Sequence, residues 1–387
     1  MPKISPSTLN KLSWVRNDYV IEILLISILI VPFLNLVDII WMFAPKSYGE
    51  WEIIHTPLSI KIIKDILLVT LLITLFFKKK VYSTWSKCSF GVLSSILAFA
   101  IGKGLLDKTS YIVLLSGIRW YLPVFLFPLF DEFTASRSTL IKFYERYKLI
   151  VLIALPLEIL QILFSARWSI SEGIAYSRAN GFFSQPQPMS LFALFFLMIV
   201  FEVIPKEKKT FNYFLSLISI ILTKSAAGIL GIAYLFFTKA TKKYKVIISV
   251  VTVIVAVTFP YTSGRLDYWV SPIQRFEVLF DINLNNITFG SYSNTCNTIQ
   301  TINRVAENCS IPDSLFSSAI GNLGVFLGLS LLGIITYTIY RSKRRYLVPI
   351  FILFLISANL TEYFPMNILL PFIIGLKITE ENYEQNI

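Results

Sequence analysis

FNYFLSLISIILTKSAAGILGIAYLFF, residues 211–237, decides how this chain folds. As one helix rising 1.5 Å per residue it is long enough to cross a bilayer. Its flanks argue against a single crossing. Lys206, Lys208 and Lys209 precede it, and Lys239, Lys242, Lys243 and Lys245 follow it. Basic clusters gather on the cytoplasmic side of spanning helices, so one crossing would strand one of the two. Two short helices meeting near Lys224-Ser225-Ala226-Ala227-Gly228 keep both clusters together. Each arm is about 14 residues, roughly 21 Å. The pair either spans twice or dips and returns, with its tip against a polar cavity rather than lipid.

The same rhythm runs outward from this hairpin. Apolar runs fall near 19–41, 58–77, 88–106, 111–130, 149–165 and 188–204 before it, and near 246–260, 315–340, 346–358 and 366–378 after it. With 55% hydrophobic and 15% charged residues and a mean hydropathy of +0.67, the chain has more apolar side chains than a soluble core would hide. The expected fold is an all-α polytopic membrane protein of about twelve transmembrane helices, ten long spans plus the short helical pair. It forms one integral membrane domain over 1–387, with outward loops at 166–187 and 261–314.

A net charge of +12 would point to nucleic acid in a soluble protein, but here its placement is topological. Lys78, Lys79, Lys80 and Lys87 form one cluster, and Arg137, Lys142, Arg146 and Lys148 a second. Arg341, Lys343, Arg344 and Arg345 form another, so every second connection is basic. Lys3, Lys11 and Arg16 put the N-terminus on the same side. The first run has no small-residue cleavage site and reads as a signal anchor. Both termini are then cytoplasmic, in a multi-pass protein of a bacterial inner membrane. No nucleic-acid partner is implied.

The loop at 261–314 is rich in Asn, Ser and Thr, with Tyr268, Trp269 and Tyr292 among them. Amides and aromatic rings of this kind suit carbohydrate, and a solvated loop would look the same. Cys296 and Cys309 both lie in it and could close a disulfide in an oxidising compartment. His55 is the one histidine, and no Cys-x-x-Cys occurs, so no metal site built on His or Cys is expected and no cofactor is implied.

The charges that topology does not explain are the candidates for chemistry. Arg119 lies in the middle of the fourth span, where a cation by default faces a cavity or a partner. Glu158, in Pro156-Leu157-Glu158-Ile159-Leu160-Gln161, is either a structural partner for Arg119 or a general base. Arg178 opens Arg178-Ala179-Asn180-Gly181-Phe182-Phe183-Ser184-Gln185-Pro186-Gln187-Pro188, and Arg265 and Arg275 open the large loop. Guanidinium forks converging over Lys224 would hold a pyrophosphate bidentately. At a membrane, such a ligand is a polyprenyl-linked sugar.

Three of these segments resemble one family. Arg178 to Pro188 is similar to the R-x-x-G-x-F-x-x-P-x signature of the O-antigen polymerase and O-antigen ligase superfamily. Leu222-Thr223-Lys224-Ser225-Ala226-Ala227-Gly228 resembles its L-T-x-S-R-G turn, with Ala226 in place of the arginine. Ile311-Pro312-Asp313-Ser314-Leu315-Phe316 followed by Gly321-Asn322-Leu323-Gly324 resembles its P-H-N-x-x-L and G-x-x-G elements. Asp313 stands where ligases carry histidine, which favours polymerase over ligase. The resemblance implies transfer of a growing glycan from undecaprenyl pyrophosphate to a lipid-linked repeat unit on the periplasmic side. Arg178, Arg265 and Arg275 would stabilise the leaving pyrophosphate, with Arg119 and Lys224 deeper. Asp313 is the first choice of base, then Glu158 and Glu362. Undecaprenyl-pyrophosphate-linked glycans, membrane lipids and a chain-length regulator protein are the partners implied. Ligase and lipid-linked oligosaccharide flippase are the alternatives, and the absence of an internal repeat weighs against a transporter.

Overall fold

The computed structural model describes residues 6–36, 39, 58–78, 82–164, 178–183, 186–205, 209–262, 289–290, 314–361 and 363–379. It is mostly helical, as an all-α membrane protein should be. Among the described residues, five helices are long and apolar enough to cross a membrane: Thr84–Leu106, Tyr111–Phe130, Arg137–Phe164, Pro186–Val203 and Leu315–Arg341. Shorter apolar helices accompany them, the pair Thr210–Thr223 and Ala226–Lys239 included.

The chain divides into two compact units. The first gathers residues 1–80, 132–229 and 368–387. Its described elements are α1 (Pro6–Leu34), α2 (Leu58–Lys78), β1 (Phe133–Ser136), α6 (Arg137–Phe164), α7 (Pro186–Val203), α8 (Thr210–Thr223), the start of α9 (Ala226–Lys239), most of α13 (Met366–Gly375) and β2 (Leu376–Thr379), the helices of intervening number belonging to the second unit. α7 packs on α8 and α6, α6 on α8, and α1 on both α2 and α6. Fifteen of the 18 residues of α7 are buried. A helix that is apolar and covered all round is the interior helix of its bundle.

The second unit gathers residues 81–131 and 230–367. It contains α3 (Thr84–Leu106), α4 (Tyr111–Tyr121), α5 (Leu126–Phe130), α10 (Lys242–Thr262), α11 (Leu315–Arg341) and α12 (Val348–Ser357). The helix α9 (Ala226–Lys239) starts in the first unit and ends in this one. A 3-10 turn at Leu122–Phe125, which holds Pro123, joins α4 to α5, because proline cannot donate to the helical ladder. α11 breaks at Gly324 (φ 79°, ψ 171°). The Leu323 carbonyl at that break accepts from the Gly290 N–H at 2.7 Å. Tyr121 Oη donates to the Ser318 carbonyl at 2.9 Å, fixing α4 to the first half of α11.

Several bounds differ from the sequence reading, among them those of α1, which starts at Pro6 rather than 19, and of α10, which starts at Lys242 rather than 246. The apolar run expected to be helical to 378 stops at Gly375, and Leu376–Thr379 pairs in parallel with Phe133–Ser136. Thr379 Oγ1 donates to the Ala135 carbonyl at 3.2 Å and Lys377 bridges Glu132 at 2.8 Å, which holds the pair together. The run expected from 149 begins instead at Arg137, so α6 includes the basic cluster at its start.

Candidate functional site

Two residues of α6 set the floor of the site. Glu158 and Gln161 are three apart, hence on one helical face, and both are fully buried. Gln161 acts as a short stretch of partner backbone for the segment after the 166–187 loop. Its Oε1 accepts from the N–H groups of Asn180 (2.9 Å) and Gly181 (2.8 Å), while its Nε2 donates to the Gly181 carbonyl at 2.9 Å. Just past the end of α1, Asn35 Nδ2 donates to the Phe182 carbonyl at 2.9 Å. The chain is thus gripped on both sides of Gly181.

Gly181 has φ +56° and lies against Met189 and the Glu158 carboxylate, so a side chain there would be strained and would strike the Met189 sulfur. This is the glycine of the R-x-x-G-like segment. Its tight turn brings the preceding residues to the end of α8. The Ala179 N–H donates to the Leu222 carbonyl at 3.0 Å. Arg178 Nε donates to the Thr223 carbonyl at 3.0 Å. Both acceptors are last-turn carbonyls, which a helix leaves unsatisfied.

The hairpin turn follows directly. Lys224 ends α8 in the left-handed region (φ 47°, ψ 42°), and its N–H donates to the Ile221 carbonyl at 3.0 Å. Ser225 then caps α9, its Oγ accepting from the Gly228 N–H at 3.3 Å. Gly228 lies against Ser190 of α7, with no room for a Cβ. Arg178 and Lys224 are both half-buried, and they lie close enough for their positive charges to repel. The positive end of the α9 dipole opens at the same turn. Positive charge of this kind at a helix start is the chemistry that receives an anion.

Beneath it, Ser219 Oγ donates to Glu158 Oε1 at 2.7 Å. The other carboxylate oxygen is buried without a hydrogen-bond partner among the described residues, as are the hydroxyls of Ser190 and Ser216. Arg119 is half-buried in α4, in the second unit, whereas Glu158 belongs to the first. Within its own unit Glu158 meets Ser219. Asp313, Glu362, Arg265, Arg275, Cys296 and Cys309 lie outside the described residues.

Arg178, Lys224 and Glu158 are thus three sequence candidates that one unit gathers around a single turn. Gln161, which organises them, gave no signal of its own, since one amide in an apolar helix looks like any polar interruption. No protein-family model, no curated protein and no solved structure matches this chain.

Proposed function

We propose that the chain is a membrane glycosyltransferase of the O-antigen polymerase kind, acting on undecaprenyl-pyrophosphate-linked repeat units at the periplasmic face of a bacterial inner membrane. One observation carries the reading. The bond from Arg178 to Thr223 ties together two segments 45 residues apart that resemble different motifs of that family, and it sets two cations side by side at a helix start. Cations so placed suit a leaving pyrophosphate, whose charge grows as its bond to the sugar breaks.

In this reading the acceptor hydroxyl attacks the anomeric carbon of the donor glycan, and the carbon–oxygen bond to pyrophosphate breaks. The hydroxyl proton goes to a carboxylate base. Asp313 is the first choice, followed by Glu158 and Glu362, with Arg265, Arg275 and Arg119 adding positive charge. A chain-length regulator would bind the same protein in the membrane.

The test is a gel of lipopolysaccharide from a strain lacking the gene, with and without its restoration. A band of core plus one repeat unit in place of the ladder supports a polymerase. Loss of all O-antigen, with flippase and ligase genes intact, moves the reading to transport or ligation, and an unchanged ladder removes it. Arg178→Ala and Arg265→Ala, with the protein still in the membrane, should give the single-unit band. A normal ladder from either strikes that residue from the clamp.

A further inference from the structure

Two basic clusters about a hundred residues apart meet at one edge of the second unit. The first closes α9 and opens α10, and the second closes α11 and opens α12. Lys239 Nζ sits 4.6 Å over the Tyr346 ring, joining the two. Arg341 lies 5.9 Å over Trp85 at the start of α3. Lys242, Lys243, Lys343 and Arg345 are exposed.

Among its described residues this unit has two acids, Asp107 and Asp131. Asp107 is paired with Lys103 at 2.8 Å. Asp131 accepts the hydroxyls of Ser83 and Ser86 at 2.6 and 2.9 Å and lies 3.8 Å from Arg341. Among the described residues, no ion pair engages Lys242, Lys243, Lys343 or Arg345, so their positive charges add at this edge.

Apolar surface begins next to these charges. Val246, Ile247 and Val250 of α10 are 66%, 49% and 53% exposed, directly after the lysines, and Tyr337 and Tyr340 are 49% and 60% exposed beside Arg341. Exposed cations and tyrosines bordering exposed aliphatic side chains match the layering of a headgroup region above hydrocarbon. Topology alone asks only that basic residues lie near helix ends. Here two clusters distant in sequence converge, with four exposed cations among them.

We propose that this edge binds the headgroup phosphate of an anionic phospholipid, with the acyl chains laid along α10. The ligand is held by Lys242, Lys243, Lys343 and Arg345 together. Basic groups at a membrane surface attract anionic lipid additively, and salt screens the attraction. The inference does not depend on the proposed function.

The experiment uses the full-length protein in neutral detergent, titrated with phosphatidylglycerol or phosphatidylcholine of identical chains, with bound lipid counted by native mass spectrometry. Wild type should retain phosphatidylglycerol at least about tenfold more strongly, and the quadruple variant K242Q/K243Q/K343Q/R345Q should lose that preference. Because removing these charges could also disturb insertion, the wild type is titrated again between low and high salt. Its preference should collapse as the screening length falls from about 10 Å to about 3 Å. Equal retention of the two lipids by wild type, a preference that survives high salt, or an undiminished preference in a folded quadruple variant would each overturn the proposal.

Discussion

Replacing Gln161 by methionine, close to it in volume, would leave three buried backbone groups without their partner: the N–H of Asn180 and both the N–H and the carbonyl of Gly181. Unsatisfied buried polar groups cost about 1–3 kcal/mol each, so a loss of roughly 3 kcal/mol or more is expected. Gly181→Ala acts at the same place by another route. It forces a side chain into the left-handed region, at about 1–2 kcal/mol, and against Met189. Thermal unfolding of the purified protein in detergent should show a lowered midpoint for both variants. A Gln161→Met protein as stable as wild type would mean that the three bonds contribute nothing. The contrast with Glu158 is instructive, because a carboxylate in an apolar run attracts notice in the sequence and an amide does not. What makes Gln161 matter is a partner segment 19 and 20 residues away, and no local pattern encodes where that segment returns.

At the scale of elements, the turn between α8 and α9 separates charge from conformation. Lys224 adopts φ 47°, a conformation glycine takes without steric cost but with a greater loss of chain entropy of about 0.5–1 kcal/mol. These effects nearly cancel, so Lys224→Gly should fold and accumulate like wild type while removing the cation. If the cation serves the leaving pyrophosphate, this variant gives short or single-unit lipopolysaccharide at normal protein level. A full ladder from Lys224→Gly would leave the residue with a turn-forming role only. The break itself was legible, because basic clusters at both ends of 211–237 argued against a single crossing and put the turn near Lys224 to Gly228. The β1 and β2 pair was not. Phe133–Ser136 and Leu376–Thr379 are four residues each and lie at the ends of apolar runs. Each reads as fraying helix until the other is beside it. Asp313, Glu362, Arg265 and Arg275 rest on motif and position in the sequence, outside the described residues.

For the whole molecule, the exposure of apolar side chains distinguishes lipid from water as the surrounding medium. Val250, Val251, Val253, Ile254 and Val257 of α10 are 51–62% exposed, a continuous aliphatic surface of the kind soluble monomers rarely show. Leu191 to Val200 of α7 are at most 2% exposed, although α7 is itself long and apolar enough to cross a membrane. Hydropathy alone cannot separate these two helices, since both read as spans. Their surroundings do. A lipid-soluble photoactivated carbene, applied to the protein in sealed vesicles, should therefore modify peptides from 242–262 strongly and peptides from 186–203 weakly. After denaturation in dodecyl sulfate the two should label alike, because the difference resides in packing rather than composition. Equal labelling in vesicles would place α7 at the lipid surface. It would then no longer be an interior helix backing Gly181 and Gly228, and the geometry that brings Arg178 to Lys224 would lose its support.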